Sequence, residues 1–326
     1  MNDSFSECQA IVRQGDPDRF AAALYADAAH RPGVMALYAF HLELARVREL
    51  IHDPLPGEIR LQWWRDLLEG AGHGDVRGHP VADALLQTVE RYRLPRASLI
   101  AMTEARIFDL YDDPMPDQDT FEGYAGETHG ALFQLAALVL CDGRDPGTGT
   151  LAGHAGVAET IAAVLRALPH HLRRGQVFLP ADLLVRHGTT PERIVASPGD
   201  AGAVAAVREL AEHGRHHLAR CRLYGDTVPG AAAPAFLTLA LVPSVLDGVE
   251  AAGYDPYGTD LAPDAVGGRR RLGAGVGLAQ GVSAAPGGAP APIRPRGPER
   301  RPARPRNRRG RGRSSPASWR CRAPSR

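Results

Sequence analysis

An all-α fold follows from three observations. Apolar residues recur at helical spacing along residues 1–262, no run alternates apolar and polar residues as a half-buried strand would, and the breaks between runs are only a few residues long. With 44% hydrophobic residues in a chain of 326, burying a sizeable helical core presents no difficulty.

Asp16 to His30 reads as a first helix, closed by Arg31, Pro32 and Gly33. Val34 to Ile51 follows and stops before Asp53-Pro54, because the residue preceding a proline disfavours helical backbone. Gly57 to Glu69 is amphipathic, with Ile59, Trp63, Leu67 and Leu68 on overlapping faces, and Gly70 supplies a left-handed stop. Adjacent Trp63 and Trp64 cannot both face inward, so one belongs to the core and the other marks a partner or membrane surface. Pro80–Tyr92 and Pro95–Leu110 make two more helices, and Asp119–Leu140 runs through the small, apolar stretch GALFQLAALVL. Gly153–Leu168 is a long helix that Pro169 should end or kink. Pro180–His187 and Pro191–Val195 are short pieces, and Ala201–Leu223 and Gly230–Ala252 are the last long helices. The apolar stretch 230–246 contains Pro234 and Pro243, is short for a bilayer span, and reads as a buried core helix.

Composition excludes several classes of function. All 38 basic residues are arginine, the mark of a GC-rich coding sequence. Cys8, Cys141, Cys221 and Cys321 are scattered without a CxxC pair, which disfavours a zinc site or disulfide framework and fits a reducing, cytoplasmic setting. The N-terminus has no apolar core of a secretory signal, and Asp3, Glu7 and Asp16 disfavour a transit peptide. No phosphate-binding glycine loop, dinucleotide fingerprint, HExxH or nucleophile elbow occurs.

The net charge of +1 conceals a split: residues 263–326 hold sixteen arginines against Asp264 and Glu299, and the rest of the chain is correspondingly acidic. The tail is Arg, Pro, Gly, Ala and Ser, too poor in large apolar residues for a packed core, and is expected to be disordered. Trp319 is its one aromatic residue, so base stacking has no support and no nucleic-acid partner is expected. GC-rich DNA read out of frame yields this same mixture, and the tail is read as a frameshifted C-terminus rather than a basic arm.

Two segments carry a family resemblance. LRALPHHLRRGQVFLP, from Leu165 to Pro180, is similar to the second signature of the squalene/phytoene synthase family, roughly LRDxxEDxxRGRxYLP. LYAFHLELARVRE, from Leu37 to Glu49, resembles the first, YAFxRxxDDxxDE. In both, the framework matches and the acids do not: Ala45 and Arg46 stand at the adjacent aspartates of the first, with Glu49 alone acidic, and Ala167, His170 and His171 stand at the acids of the second. Further likenesses, LPGEIRLQWWRDLLEG, YAGETHGALFQL and the ending GYDPYG, extend the resemblance over about residues 5–260. The segment from Val164 to Gly188 is most similar to the branch of respiratory complex I assembly factors.

The resemblance implies an isoprenoid-synthase-like helical bundle around a central apolar cavity, lined by the 130–140 run and the 232–246 helix. It implies Tyr38, Phe40, Arg166, Arg173 and Arg174 as ligand-binding positions. It also implies the loss of the Mg²⁺ site, since magnesium requires oxygen ligands that alanine cannot provide and imidazole provides poorly. No metal and no cofactor are therefore expected. The expectation is a non-catalytic protein binding an isoprenoid or quinone-like lipid, with respiratory complex subunits and a membrane surface as partners, in the cytoplasm or peripheral on the inner membrane. The alternative is a prenyltransferase condensing isoprenyl diphosphates with an altered, Glu49-based Mg²⁺ site.

Other candidates read as structural. Asp109, Asp112, Asp113, Asp117 and Asp119 lack the order of a calcium loop and suit helix capping. His170 and His171 suit the negative end of a helix. Arg166 suits an ion pair with Glu43, Glu49 or Asp109 as well as a ligand. His213 and His217 share a helical face, yet the only acids of matching spacing are Glu209 and Glu212, so a partly exposed face is expected rather than a metal site.

Overall fold

The computed structural model describes residues 3–51, 53–70, 78–111, 113–197 and 199–258. The tail assigned to 263–326, together with Asp112 and Cys321, lies outside them. The described residues hold helices and no strand. In chain order these are α1 (Asp3–Gly15), α2 (Pro17–Ala23), α3 (Arg31–Ala45), α4 (Pro54–Glu69), α5 (Pro80–Tyr92), α6 (Arg96–Ala105), α7 (Gln118–Ala125), α8 (Ala131–Leu140), α9 (Gly149–Arg173), α10 (Ala181–Arg186), α11 (Pro191–Ala196), α12 (Ala201–Gly225) and α13 (Val242–Ala251). Short 3₁₀ turns follow α3 at Arg48–Leu50 and α6 at Phe108–Leu110, and a longer one, Ala233–Leu241, precedes α13.

Three expectations need correction. Residues 3–15 form a helix that the apolar pattern missed, because its buried row is Ser4, Cys8 and Val12, small side chains at i, i+4 spacing. The expected 16–30 helix ends at Ala23, since Asp27 turns the chain by accepting a hydrogen bond from the Ala29 amide at 2.8 Å. Pro169 neither ends nor breaks α9, which continues to Arg173. One missing hydrogen bond at Pro169 is outweighed by burial of Leu168, Pro169 and Leu172 in the same turn. By contrast Gly70 closes α4 at φ 84°, the left-handed stop that the sequence implies.

Two large apolar clusters divide the body. One joins α1, α3, α4, α5 and α8 and includes Leu37, Phe40, Trp64, Leu85 and Leu135. The other joins α9, α12 and α13 and includes Ile161, Leu168, Leu210 and Leu246. Trp64 is fully buried against Phe40, with ring centroids 5.0 Å apart, while Trp63 is half-buried against His79. Residues 149–173 and 233–251 are each long and apolar enough to cross a bilayer, but most of the first is buried in the protein. The second is divided by the change from 3₁₀ turn to α13.

Residues 118–140 form one continuous helix interrupted by a π turn at Gly126–Gly130. Such turns close i→i+5 hydrogen bonds and widen the helix locally. Here α9 crosses so closely that a Cβ on Gly156 would lie 2.5 Å from the Gly130 backbone nitrogen. Only glycine fits at that crossing.

Candidate functional site: a cavity between two facing helices

The two motif helices, α3 and α9, face one another across a cavity of about 400 Å³. On α3 and its 3₁₀ extension, His41, Ala45 and Glu49 repeat at i, i+4 spacing and share the cavity face. On α9 the opposing face carries Thr160, Ala163, Ala167, His170 and His171. Ala45 and Ala167 therefore line one space, as the resemblance implies. Arg106 and Asp109 enter from the end of α6, and Tyr124 and His129 from the interrupted helix. The apolar 130–140 run and the 232–246 segment do not line it. In the first, Leu132, Leu135, Ala136 and Val139 are spent on packing the N-terminal core.

Several predicted ligand contacts are placed elsewhere. Phe40 is five residues before Ala45, so it points away from the cavity into the core. Tyr38 is buried two turns deeper, where Arg19 lies 5.8 Å from its ring, and burial raises its hydroxyl pKa. Arg46 caps α3 and lies against Gly15. Arg173 falls about 120° around α9 from Ala167 and is exposed, outside the cavity wall. Arg166 and Arg174 do line the mouth, and both are exposed. Two of the partners foreseen for Arg166 are engaged otherwise, Glu43 with Arg60 and Asp109 with Arg106. Its charge acts instead on Asp18 and Glu159.

The deeper wall is polar and partly self-satisfied. Arg106 Nη1 donates to Asp109 Oδ2 at 2.9 Å and to the Tyr124 hydroxyl at 2.8 Å, and that hydroxyl donates to Asp109 Oδ1 at 2.8 Å. Asp109 is thus a counter-ion, and Asp117 caps α7 through the Thr120 amide at 2.7 Å, as capping requires. His129 Nδ1 lies 2.8 Å from Thr160 Oγ1, and its ring meets His41 edge-on at 5.1 Å. Burial, reinforced by the charges of Arg19 and Arg106, holds His41 and His129 well below the ordinary histidine pKa, so both are neutral. His171 is pushed to about 4, by burial first and then by His170 and Arg174. His41 Nδ1 and His171 Nδ1 are buried without a hydrogen-bond partner among the described residues. A bound polar group could satisfy both.

Behind Tyr38 lies a buried ion cluster. Arg19 Nη1 is 2.7 Å from Asp16 Oδ2, and Arg19 Nη2 is 3.1 Å from Glu159 Oε2. Burial outweighs Arg19 at Glu159 and lifts that carboxyl above its usual range, whereas Asp16 and Glu159 together keep Arg19 charged.

Residues 12–272 match the squalene/phytoene synthase family model. The chain belongs to the squalene/phytoene synthase family. It is 30% identical over 254 residues to the mouse protein "NADH dehydrogenase (ubiquinone) complex I, assembly factor 6", covering 78% of this chain and 76% of that one. A phytoene synthase of Rhodobacter capsulatus is 25% identical over 202 residues, 62% of this chain and 59% of the enzyme. Among solved structures, a dehydrosqualene synthase in complex with a ligand superposes with a TM-score of 0.73 at 17% identity, covering 85% of this chain and 97% of that one. That last likeness establishes the isoprenoid-synthase fold.

Sequence reasoning missed His41, Arg106, Tyr124, His129 and Thr160 as cavity residues. The signal available was a histidine inside an apolar helical run, at Phe40-His41 and again just before Ala131-Leu132.

Proposed function

We propose that this family member binds a lipid in its cavity without carrying out prenyl transfer. The observation that carries the reading is that Ala45, Ala167, His170 and His171, four of the positions where the family pattern places acids, line one cavity and offer it no carboxylate. Ionising an allylic diphosphate calls for a metal cluster to take up the departing charge. Glu49 is the one carboxylate left on the two motif faces, and Asp109 is neutralised by Arg106. The cavity, about 400 Å³, is of a size that encloses one small-molecule ligand. An isoprenoid or quinone-like tail fits the apolar part of the wall. Arg166 and Arg174 at the mouth offer forked donors for a polar or anionic head, and His41 offers a buried nitrogen. No resident Mg²⁺ is part of this reading. The assembly-factor relatives support a role in building respiratory complex I, and the reading places that role in the cytoplasm or peripherally on the inner membrane.

Incubation of the full chain with farnesyl, geranylgeranyl and presqualene diphosphates plus Mg²⁺ is expected to give no product. Mass spectrometry of the protein purified from its own cells is expected to recover a prenyl lipid or a respiratory subunit, and deletion to lower NADH oxidation. Turnover that disappears in Glu49→Gln would establish the alternative, a prenyltransferase with an altered metal site. Recovery of neither ligand nor subunit, with NADH oxidation untouched, would end the binding reading.

A further inference from the structure

Glu122, His213 and His217 come together on the side of the bundle where α7 packs near α12, outside the cavity wall. One ligand atom from each lies within 4.8 Å of the other two. His213 and His217 are one turn apart on α12 and present their rings to the same side, centroids 4.6 Å apart. Glu122 reaches between them from α7, with Oε1 2.8 Å from His213 Nε2 and Oε2 3.9 Å from His217 Nε2. Gln118 Nε2, one turn earlier on α7, lies 3.3 Å from Glu122 Oε1 and 3.0 Å from His213 Nε2, and fixes the carboxylate.

We propose that Glu122, His213 and His217 bind a divalent transition metal ion of the Zn²⁺ class. A carboxylate and two imidazoles are the donor set such ions prefer, and Mg²⁺ and Ca²⁺ do not. With these atoms within 4.8 Å of one another, a small adjustment of the side chains would set all three about 2 Å from one ion, the distance of zinc–nitrogen and zinc–oxygen bonds.

The second observation concerns the far side of His217. Its Nδ1 lies 3.1 Å from His154 Nδ1 on α9, so one of the two nitrogens carries the proton and the other accepts it. With the proton on His217, Nε2 is left as a bare lone pair facing Glu122. Metal-bound histidines are held by such a hydrogen bond from the other ring nitrogen. His154 is itself held in place by stacking on Tyr224, centroids 6.1 Å apart at 19°. Side-chain exposures of 10% at His217, 22% at His213 and 33% at Glu122 leave the cluster closed on the protein side and open to solvent on the other. Three protein ligands with one open position is the arrangement of an accessible zinc site.

Sequence spacing alone could not find this site, because it tested Glu209 and Glu212 as the acid. Glu209 is engaged by Arg186 and His187, and the acid that completes the set is 91 residues from His213.

The test uses tag-free full-length protein, stripped with a chelator and titrated with ZnCl₂, CoCl₂ and MgCl₂. One Zn²⁺ per chain is expected, with visible Co²⁺ bands of a low-coordinate nitrogen–oxygen site and no competition from Mg²⁺. Glu122→Gln and His213→Asn, both at partly exposed positions, should each weaken Zn²⁺ binding at least 100-fold. His154→Ala, which removes no ligand, should weaken it about 10–100-fold with the stoichiometry kept at one. Glu49→Gln in the cavity should leave it unchanged. Absence of saturable Zn²⁺ binding, or equal binding by Glu122→Gln and His213→Asn in chains whose circular dichroism melts match the parent, overturns the proposal. The outcome is independent of whether the cavity holds a lipid.

Discussion

The cavity between α3 and α9 and the cluster between α7 and α12 are opposites. In the cavity the framework of the family pattern is present, and Ala45 and Ala167 line one space where that pattern places acids. At the cluster the ligand atoms converge and no sequence motif announces them. A helical motif records spacing along one element, which fixes which residues share a face. A coordination site needs atoms from separate elements at one point, and that is decided by how helices cross.

The comparison can be tested at four strengths. The largest effect lies beneath the cavity, at Arg19. Arg19→Met leaves Asp16 and Glu159 buried without their counter-ion and should cost about 3–5 kcal/mol in a urea melt, while Zn²⁺ titration of the folded fraction stays as in the parent. Loss of metal binding in that variant would mean the two regions are coupled.

Acid comes next. His41, His129 and His171 are neutral in the folded chain because burial depresses their pKa values, to about 4 for His171. The unfolded chain takes up those protons below about pH 6.5 and the folded chain does not. Stability is therefore full above that pH and falls as pH drops toward 4, by about 1.4 kcal/mol per pH unit for each histidine. Denaturant melts across pH 4–7 check this, and a His171→Phe variant should show a shallower slope.

Rebuilding the acids is a gain-of-site test. The combined Ala45→Asp, Ala167→Asp and His171→Asp variant should tighten Mg²⁺ binding at least tenfold, about 1.4 kcal/mol, read by titration against the parent. Failure would show that the backbone, and not only the side chains, has left the metal-binding geometry. The smallest effect belongs to the cluster without metal. Glu122→Gln weakens a partly exposed 2.8 Å contact with His213 and should cost about 0.2–1 kcal/mol, against its large effect on Zn²⁺ affinity.

Much of the fold was legible because large apolar residues mark the faces of α4, α5 and α12 and glycine or proline punctuates their ends. The parts that were not legible share a cause. The buried row of α1 is made of Ser4, Cys8 and Val12, which no hydrophobic pattern registers. The turn after α2 holds a local hydrogen bond from the Ala29 amide to Asp27 Oδ1 that competes with the helix. For the cavity, the resemblance supplied the register of both motifs, and Ala45, Glu49, Ala167, His170 and His171 fell where that register put them. It did not say which neighbours share the face, so Phe40 and Arg173 were assigned to a ligand although helical geometry turns them away. Arg106, His129 and Glu122 could be placed only once the crossings of α6, α7 and α9 were known.

The π turn at Gly126–Gly130 carries a consequence for how this helix tolerates change. In an uninterrupted α-helix, His129 would sit about 140° around the axis from Tyr124. The i→i+5 closure brings the two side chains onto one side, so both reach the cavity. Upstream the same helix offers Glu122 to α12, and downstream it offers Leu135 and Val139 to the N-terminal core. The π turn is therefore a splice between two phases of one helix. Deleting a single residue there, such as Thr128, would restore uniform winding and leave His129 four residues after Tyr124, still within about 40° of it around the axis. The extra residue is thus absorbed within one turn, and the downstream half of the helix keeps its aim on the N-terminal core with or without it.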